Sequence, residues 1–223
     1  MNGTLSTLGA IAIGFAATFI ATIVLIFAAV LATGTTPSLK PGHPLLAATE
    51  LIFYAAAGWF AWWRLRATNA PRFHPLHAHD MRAILLGLAA LFVVRIGTTL
   101  QLMLTNQTNH VQAGFEHFDV VSKVPSFTAI SVTLAVVTMV AAAPVVEEIV
   151  FRGLLFGALA PRLGVLASAL ITAILFGAAH GDPILFPTLA ALGFVAALAY
   201  AATGNLWVSI TLHASTTRWA RYS

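Results

Sequence analysis

Two adjacent carboxylates, Glu147 and Glu148, are followed four residues after the second by Arg152, in the stretch Pro144-Val-Val-Glu147-Glu148-Ile-Val-Phe-Arg152-Gly153. The surroundings are apolar enough to lie in lipid, where charge is expensive, so an ionisable cluster there points to a functional site. Glu148 and Arg152 have the acid on the N-terminal side, the favoured orientation for a helical ion pair. Glu147 is rotated about 100° from Glu148 on a helix and sits five residues from Arg152. The spacing therefore predicts a neutralised, structural Glu148 and a Glu147 freer to hold a water or accept a proton. Neighbouring acids in different environments are how acid and base roles are divided.

Two imidazoles stand out of place in the same way. His180 ends Phe176-Gly-Ala-Ala-His180, just before the helix-stopping Gly181-Asp182-Pro183, and His213 lies inside Leu212-His213-Ala-Ser-Thr216-Thr217. Thr217 is one helical turn beyond His213 and shares its face. Helices that bring both histidines to Glu147 would let the three side chains converge on one water. Such a site suits hydrolysis, with a carboxylate as base, imidazoles as orienters or acids, and donors over the developing oxyanion. Each residue alone has a plainer reading. Glu148–Arg152 can be a buried structural pair, His180 a helix cap, and His213 an interhelical hydrogen-bonder. Their conjunction is what argues for joint work.

The elements that must position these groups are membrane helices. The 223-residue chain is 59% hydrophobic and only 8% charged, with mean hydropathy +0.90, where a soluble domain is about a quarter charged. The net charge of +4 is scattered over loops and helix ends, which argues against a nucleic-acid partner. The absence of cysteine excludes disulfides, thiolate metal sites and cysteine nucleophiles. The expected fold is an all-α, polytopic transmembrane bundle of about seven spans.

The first span, over residues 5–32, is too long for a signal-peptide core and lacks a basic flank, so it reads as a retained helix. The second, over 44–63, ends in Trp59, Trp62, Trp63, Arg64 and Arg66, an aromatic belt with snorkelling arginines. A third covers 83–104. The apolar run from Phe127 to Ala160 would be about 50 Å long as one straight helix, and Pro144 is the expected break. Further spans are expected over 164–179, 184–202 and 205–219. Residues 1–223 read as a single membrane domain, with three N-terminal spans in 1–126 and the polar cluster in 127–223. The orientation stays open, because an odd span count would put Arg218 and Arg221 outside. In the basic loop, His74, His77, His79 and Asp80 resemble a metal-ligand cluster without acidic or thiolate support. The alternative is a solvated loop at the lipid headgroups.

The order Glu147-Glu148-x-x-x-Arg152, Phe176-x-x-x-His180, His213-x-x-x-Thr217 resembles the three-motif signature of the CAAX-protease and bacteriocin-processing (CPBP) family, also called the Abi family. It is the family of the type II CAAX prenyl endopeptidases. The likeness covers residues 144–217. It implies an intramembrane endopeptidase in which Glu147 activates water, Glu148 pairs with Arg152, and His180 and His213 position the water. It also implies substrates that are membrane-associated peptides or proteins, possible CAAX-type C-terminal processing, and residence in a prokaryotic cell membrane. Family members often carry Asn, thought to stabilise the oxyanion, where this chain has Thr217; Ser215 and Thr216 are nearby hydroxyls. Descriptions of the family differ on metal. Glu147, His180 and His213 would be the ligands of a zinc ion, but Glu147 is ill suited to be ligand and base at once, and no cofactor is expected. Two other readings stay open: a membrane immunity or regulatory protein that uses the cluster as a structural core, and a transporter that carries protons through it.

Overall fold

The computed structural model describes residues 44–67, 73–110, 133 and 136–216. The first expected span and Thr217 lie outside these residues. Among the described residues every regular element is helical, as an all-α membrane bundle requires. Three helical stretches are long and apolar enough to cross a membrane: Ala78–Leu104, Thr138–Ala179 and Phe186–Thr203.

The chain divides into two compact units, Met1–Arg64 with Ala113–Val146, and Leu65–Gln112 with Glu147–Ser223. In the first, helix α1 (Pro44–Arg66) carries Trp59, Trp62 and Trp63 exposed near its end, with the Arg64 guanidinium 5.7 Å from the Trp63 ring. Amphipathic rings and a cation at a helix end are what a membrane–water boundary favours. Gly58 brings α1 close to Val146, whose Cγ2 would lie 2.8 Å from a Cβ at that position.

The second unit holds the polar cluster. Helix α2 (Ala78–Leu104) buries Ile84, Gly87, Leu91, Thr98 and Leu102, one stripe at helical spacing. Its other faces expose Leu85, Leu86, Phe92, Val93 and Ile96, a surface suited to lipid. The π-helical segment Thr138–Ala142 and helix α3 (Ala143–Glu148) as far as Val146 belong to the first unit, and from Glu147 the chain continues in the second through the π-helical segment Ile149–Phe156 into α4 (Gly157–Ala179).

The expected break at Pro144 does not occur; the chain stays helical through it. Proline lacks an N–H and crowds the carbonyl four residues back. Here the preceding turn is widened, with the Ala143 N–H donating to the Thr138 carbonyl five residues back, which accommodates the ring. The interruption falls at Gly164, where the next span is expected to begin; there φ is 78° and ψ 168°, a conformation that suits glycine.

Helices α5 (Phe186–Thr203) and α6 (Leu206–Thr216) complete the unit. Helix α4 packs on α5, and α2 packs across α5 and α6. Their shared core is Ile84, Leu91, Phe176, Leu192, Ala199, Val208 and Leu212. Between α4 and α5, Gly193 lies so close that an added Cβ would meet Ala173 Cα at 3.1 Å and Phe176 Cβ at 3.2 Å. Small residues that let backbones approach are the usual device of helix packing in membranes, where apolar burial gives no drive between helices.

Candidate active site

Glu147 and Glu148 stand at the end of α3, Arg152 in the π-helical segment after it, His180 at the C-terminus of α4 and His213 on α6. The structure brings all five together. Glu148 Oε1 accepts a 2.8 Å bond from Arg152 Nη1 and lies 3.0 Å from His213 Nδ1. Arg152 Nη2 donates to the Gly193 carbonyl at 2.8 Å. One face of the guanidinium rests on the Phe176 ring, 4.8 Å from its centroid. Glu148 and Arg152 are completely buried, a setting in which an ion pair holds only if its geometry and further hydrogen bonds are good.

The imidazoles are oriented from behind. His180 Nδ1 donates to the Phe176 carbonyl at 2.7 Å, because a carbonyl can only accept. His213 Nδ1 donates to the Glu148 carboxylate for the same reason. Both rings therefore turn Nε2 toward Glu147, and each Nε2 lies 3.8 Å from Glu147 Oε2. The exposures of Glu147 (19%), His180 (16%) and His213 (8%), against 0% for Glu148 and Arg152, place the first three nearer the surface than the ion pair behind them, although Glu147 Oε2 itself is enclosed. A water about 2.8 Å from Oε2 and from an Nε2 would bridge such a gap.

Two imidazole nitrogens and a carboxylate are the right donor types for zinc. Atoms around a tetrahedral zinc stand about 3.3 Å apart, closer than the 3.8 Å separations of Nε2 and Oε2 here. Among the described residues no three histidine, aspartate or glutamate side chains converge as a metal site. As placed, the residues do not fit the ion. The same holds for His74, His77, His79 and Asp80. Asp80 turns inward, fully buried, and accepts the His77 N–H at 2.8 Å; His79 Nε2 comes within 3.3 Å of its other oxygen, but no third ligand among the described residues joins them as a metal site.

Several further contributors are defined only by the packing. Phe176 packs against His180 and His213 as well as Arg152, with ring centroids 4.7 and 5.3 Å away. Asn205, also fully buried, accepts the Trp207 N–H at 3.1 Å to cap α6 and donates to the His74 carbonyl at 3.1 Å. It thereby anchors the helix that carries His213. Ser215 and Thr216 donate to the carbonyls of Leu212 and His213 at 2.6 and 2.7 Å, so both hydroxyls are engaged within α6.

Beyond His180 the chain turns at Gly181, with φ 65°, into Asp182. One carboxylate oxygen of Asp182 accepts the N–H groups of Ile184 and Leu185, both at 3.0 Å. The other lies 2.9 Å from His110 Nε2. Burial opposes ionisation of Asp182, but the Leu185 N–H, the bond and charge of His110 and the Ile184 N–H outweigh it and hold the carboxyl below the usual carboxylate range.

Residues 129–217 match the family model described as type II CAAX prenyl endopeptidase Rce1-like. A candidate membrane peptidase, YdiL, of Bacillus subtilis (strain 168) is 35% identical over 83 residues, which are 37% of this chain and 34% of the relative. The matched part of the chain thus spans about a third of that relative's length. No solved structure matches the chain significantly.

Proposed function

We propose, from the match of residues 129–217 to the type II CAAX prenyl endopeptidase Rce1-like model and the likeness to a candidate membrane peptidase, that this membrane protein is an intramembrane endopeptidase of the CPBP family that hydrolyses peptide bonds of membrane-associated proteins or peptides. The observation that carries the reading is geometric. Two imidazoles on different helices present Nε2 to the same Glu147 oxygen, and each has its Nδ1 fixed by a separate acceptor.

In the proposed reaction a water sits between Glu147 and the two Nε2 atoms. Glu147 takes a proton from it as its oxygen bonds to the scissile carbonyl carbon. The C–N bond of the tetrahedral intermediate then breaks, and the proton held by Glu147 passes to the departing amine. Glu148 holds the His213 ring in one tautomer, and Arg152 balances the Glu148 charge without reaching the substrate. Thr217, one turn beyond His213, is the proposed hydroxyl donor to the oxyanion. The reaction as proposed is metal-free. CAAX-type C-terminal processing is the finer substrate class that the family suggests, and a prokaryotic cell membrane the location. Thr217 at a position often occupied by Asn favours one other reading, a non-proteolytic immunity or regulatory protein that binds a peptide.

The test is cleavage of a membrane-anchored peptide in liposomes by wild-type, Glu147→Gln and His213→Ala protein, with and without a chelator. Wild type is expected to cleave, Glu147→Gln to lose on the order of a hundredfold or more in rate, and the chelator to change nothing. Glu147→Gln cleaving at the wild-type rate would sink the assignment. A wild type that binds the peptide without cutting it supports the regulatory reading. Loss of activity to chelator with recovery on zinc would replace the metal-free route.

A further inference from the structure

We propose that His110, which lies outside the family-matched residues, is a positioning residue for His180 and acts through Asp182. The inference rests on the proposed role of His180 at the site. His180 is the C-cap of α4, directly after its last residue Ala179, so its ring goes where the end of that helix goes. Nothing packs against the Cβ direction of Gly181 in the turn after it, and the Gly181 N–H donates back to the Ala178 carbonyl at 3.1 Å. The turn is also held by Asp182, whose Oδ1 gathers the Ile184 and Leu185 N–H groups and whose Oδ2 faces His110 Nε2.

The Asp182 side chain is only 9% exposed. Without the imidazole, Oδ2 would be a largely buried carboxylate oxygen with no donor among the described residues, a state that drives the group toward water. Rotation of Asp182 outward would pull Oδ1 off the two amides and release the Gly181 turn. His110 is itself fastened to α2. Its N–H donates to the Gln107 carbonyl at 2.9 Å, and the Gln107 N–H donates to the Leu102 carbonyl at 2.8 Å. Gln101 adds a second strut from the same helix end, with Nε2 donating to the Ile184 carbonyl at 2.6 Å. The C-terminal end of α2 thus grips the loop that begins at His180, and a shift of about 1 Å at a reacting group costs up to about a hundredfold in rate.

The experiment compares full-length wild type, His110→Ala and His110→Gln in detergent micelles by kcat and KM on the anchored peptide. It adds histidine-selective 15N NMR, with the His180 ring resonances identified by their loss in His180→Gln. Gln carries an N–H at the reach of Nε2, so it is the conservative replacement. His110→Ala is expected to lower kcat about tenfold with KM within about twofold, and to displace the His180 resonances; His110→Gln should restore both. If His110→Ala does not fold, His110→Asn, polar but too short to reach Asp182, takes its place. Unmoved resonances together with wild-type kcat would overturn the proposal, as would a loss of kcat that His110→Gln leaves unrepaired. Should Glu147→Gln prove as active as wild type, the peptidase reading fails by itself, and the resonances alone decide whether His110 positions His180.

Discussion

Arg152 has no solvent to fall back on, so its neighbours must answer its charge. Glu148 meets one terminal nitrogen, the Gly193 carbonyl meets the other, and the Phe176 ring covers one face. Removing a single partner from a buried pair leaves an uncompensated charge, at a cost of about 3–5 kcal/mol. Arg152→Met is therefore expected to lower the unfolding free energy in micelles by about that much. The double variant Glu148→Leu/Arg152→Met should cost clearly less, because neither charge remains. Denaturant titrations of the three proteins would show it, and a double variant less stable than Arg152→Met would contradict it. The pair was legible in the sequence, since the spacing of Glu148 and Arg152 fixes their meeting on any helix and their charge marks them among apolar neighbours. Phe176 was not legible as a partner of all three groups. Its place four residues before His180 marks it among 15 phenylalanines, but only the packing of the helices brings Arg152 and His213 onto the same ring.

At the scale of the elements, the meeting of α4 and α5 sets the place of the Arg152 acceptor. Gly193 serves twice: its missing side chain admits Ala173 and Phe176, and its carbonyl receives Arg152 Nη2. Gly193→Ala would force the helices apart or distort Phe176, and overpacking of this kind costs about 1–3 kcal/mol. The expected result is a lower unfolding midpoint together with reduced cleavage, as the Phe176 ring carries the shift to both histidines. Gly164→Ala serves as the contrast. Nothing lies within 4 Å of its added Cβ, so its cost comes from the positive φ alone, and it is expected to lower the midpoint with little effect on cleavage. Equal loss of cleavage in the two variants would show that the effect is general destabilisation rather than the α4–α5 contact. Helix ends were the least legible feature for a related reason. Proline advertises a break, and residue rules alone do not reveal that a π turn can absorb Pro144, whereas the interruption at Gly164 falls where the next span is expected to begin.

At the scale of the whole molecule, the family match begins at residue 129, yet α2 lies before it and touches both helices that follow α4. In a membrane the apolar stripe of α2 gains little from burial, because lipid tails are as apolar as its partners. What α2 adds is close packing, as at Gly87 against Leu212, and polar ties. Thr98 meets Thr188 at 2.7 Å, Gln101 donates to the Ile184 carbonyl, and Asn205 reaches the His74 carbonyl just before α2 begins. Interhelical bonds in membranes average about 0.6 kcal/mol each, so three together supply about 2 kcal/mol, on the order of twentyfold in the population of the assembled site. Residues 127–223 alone should then insert as helices but leave the two histidines poorly held. We expect that fragment to show native-like helical circular dichroism in liposomes with cleavage reduced at least on the order of twentyfold. Co-expression with residues 1–126 as a separate chain should recover activity, since membrane helices can associate after insertion. Cleavage by the fragment at the full-length rate would show that the matched region holds its own geometry and that α2 is dispensable to it.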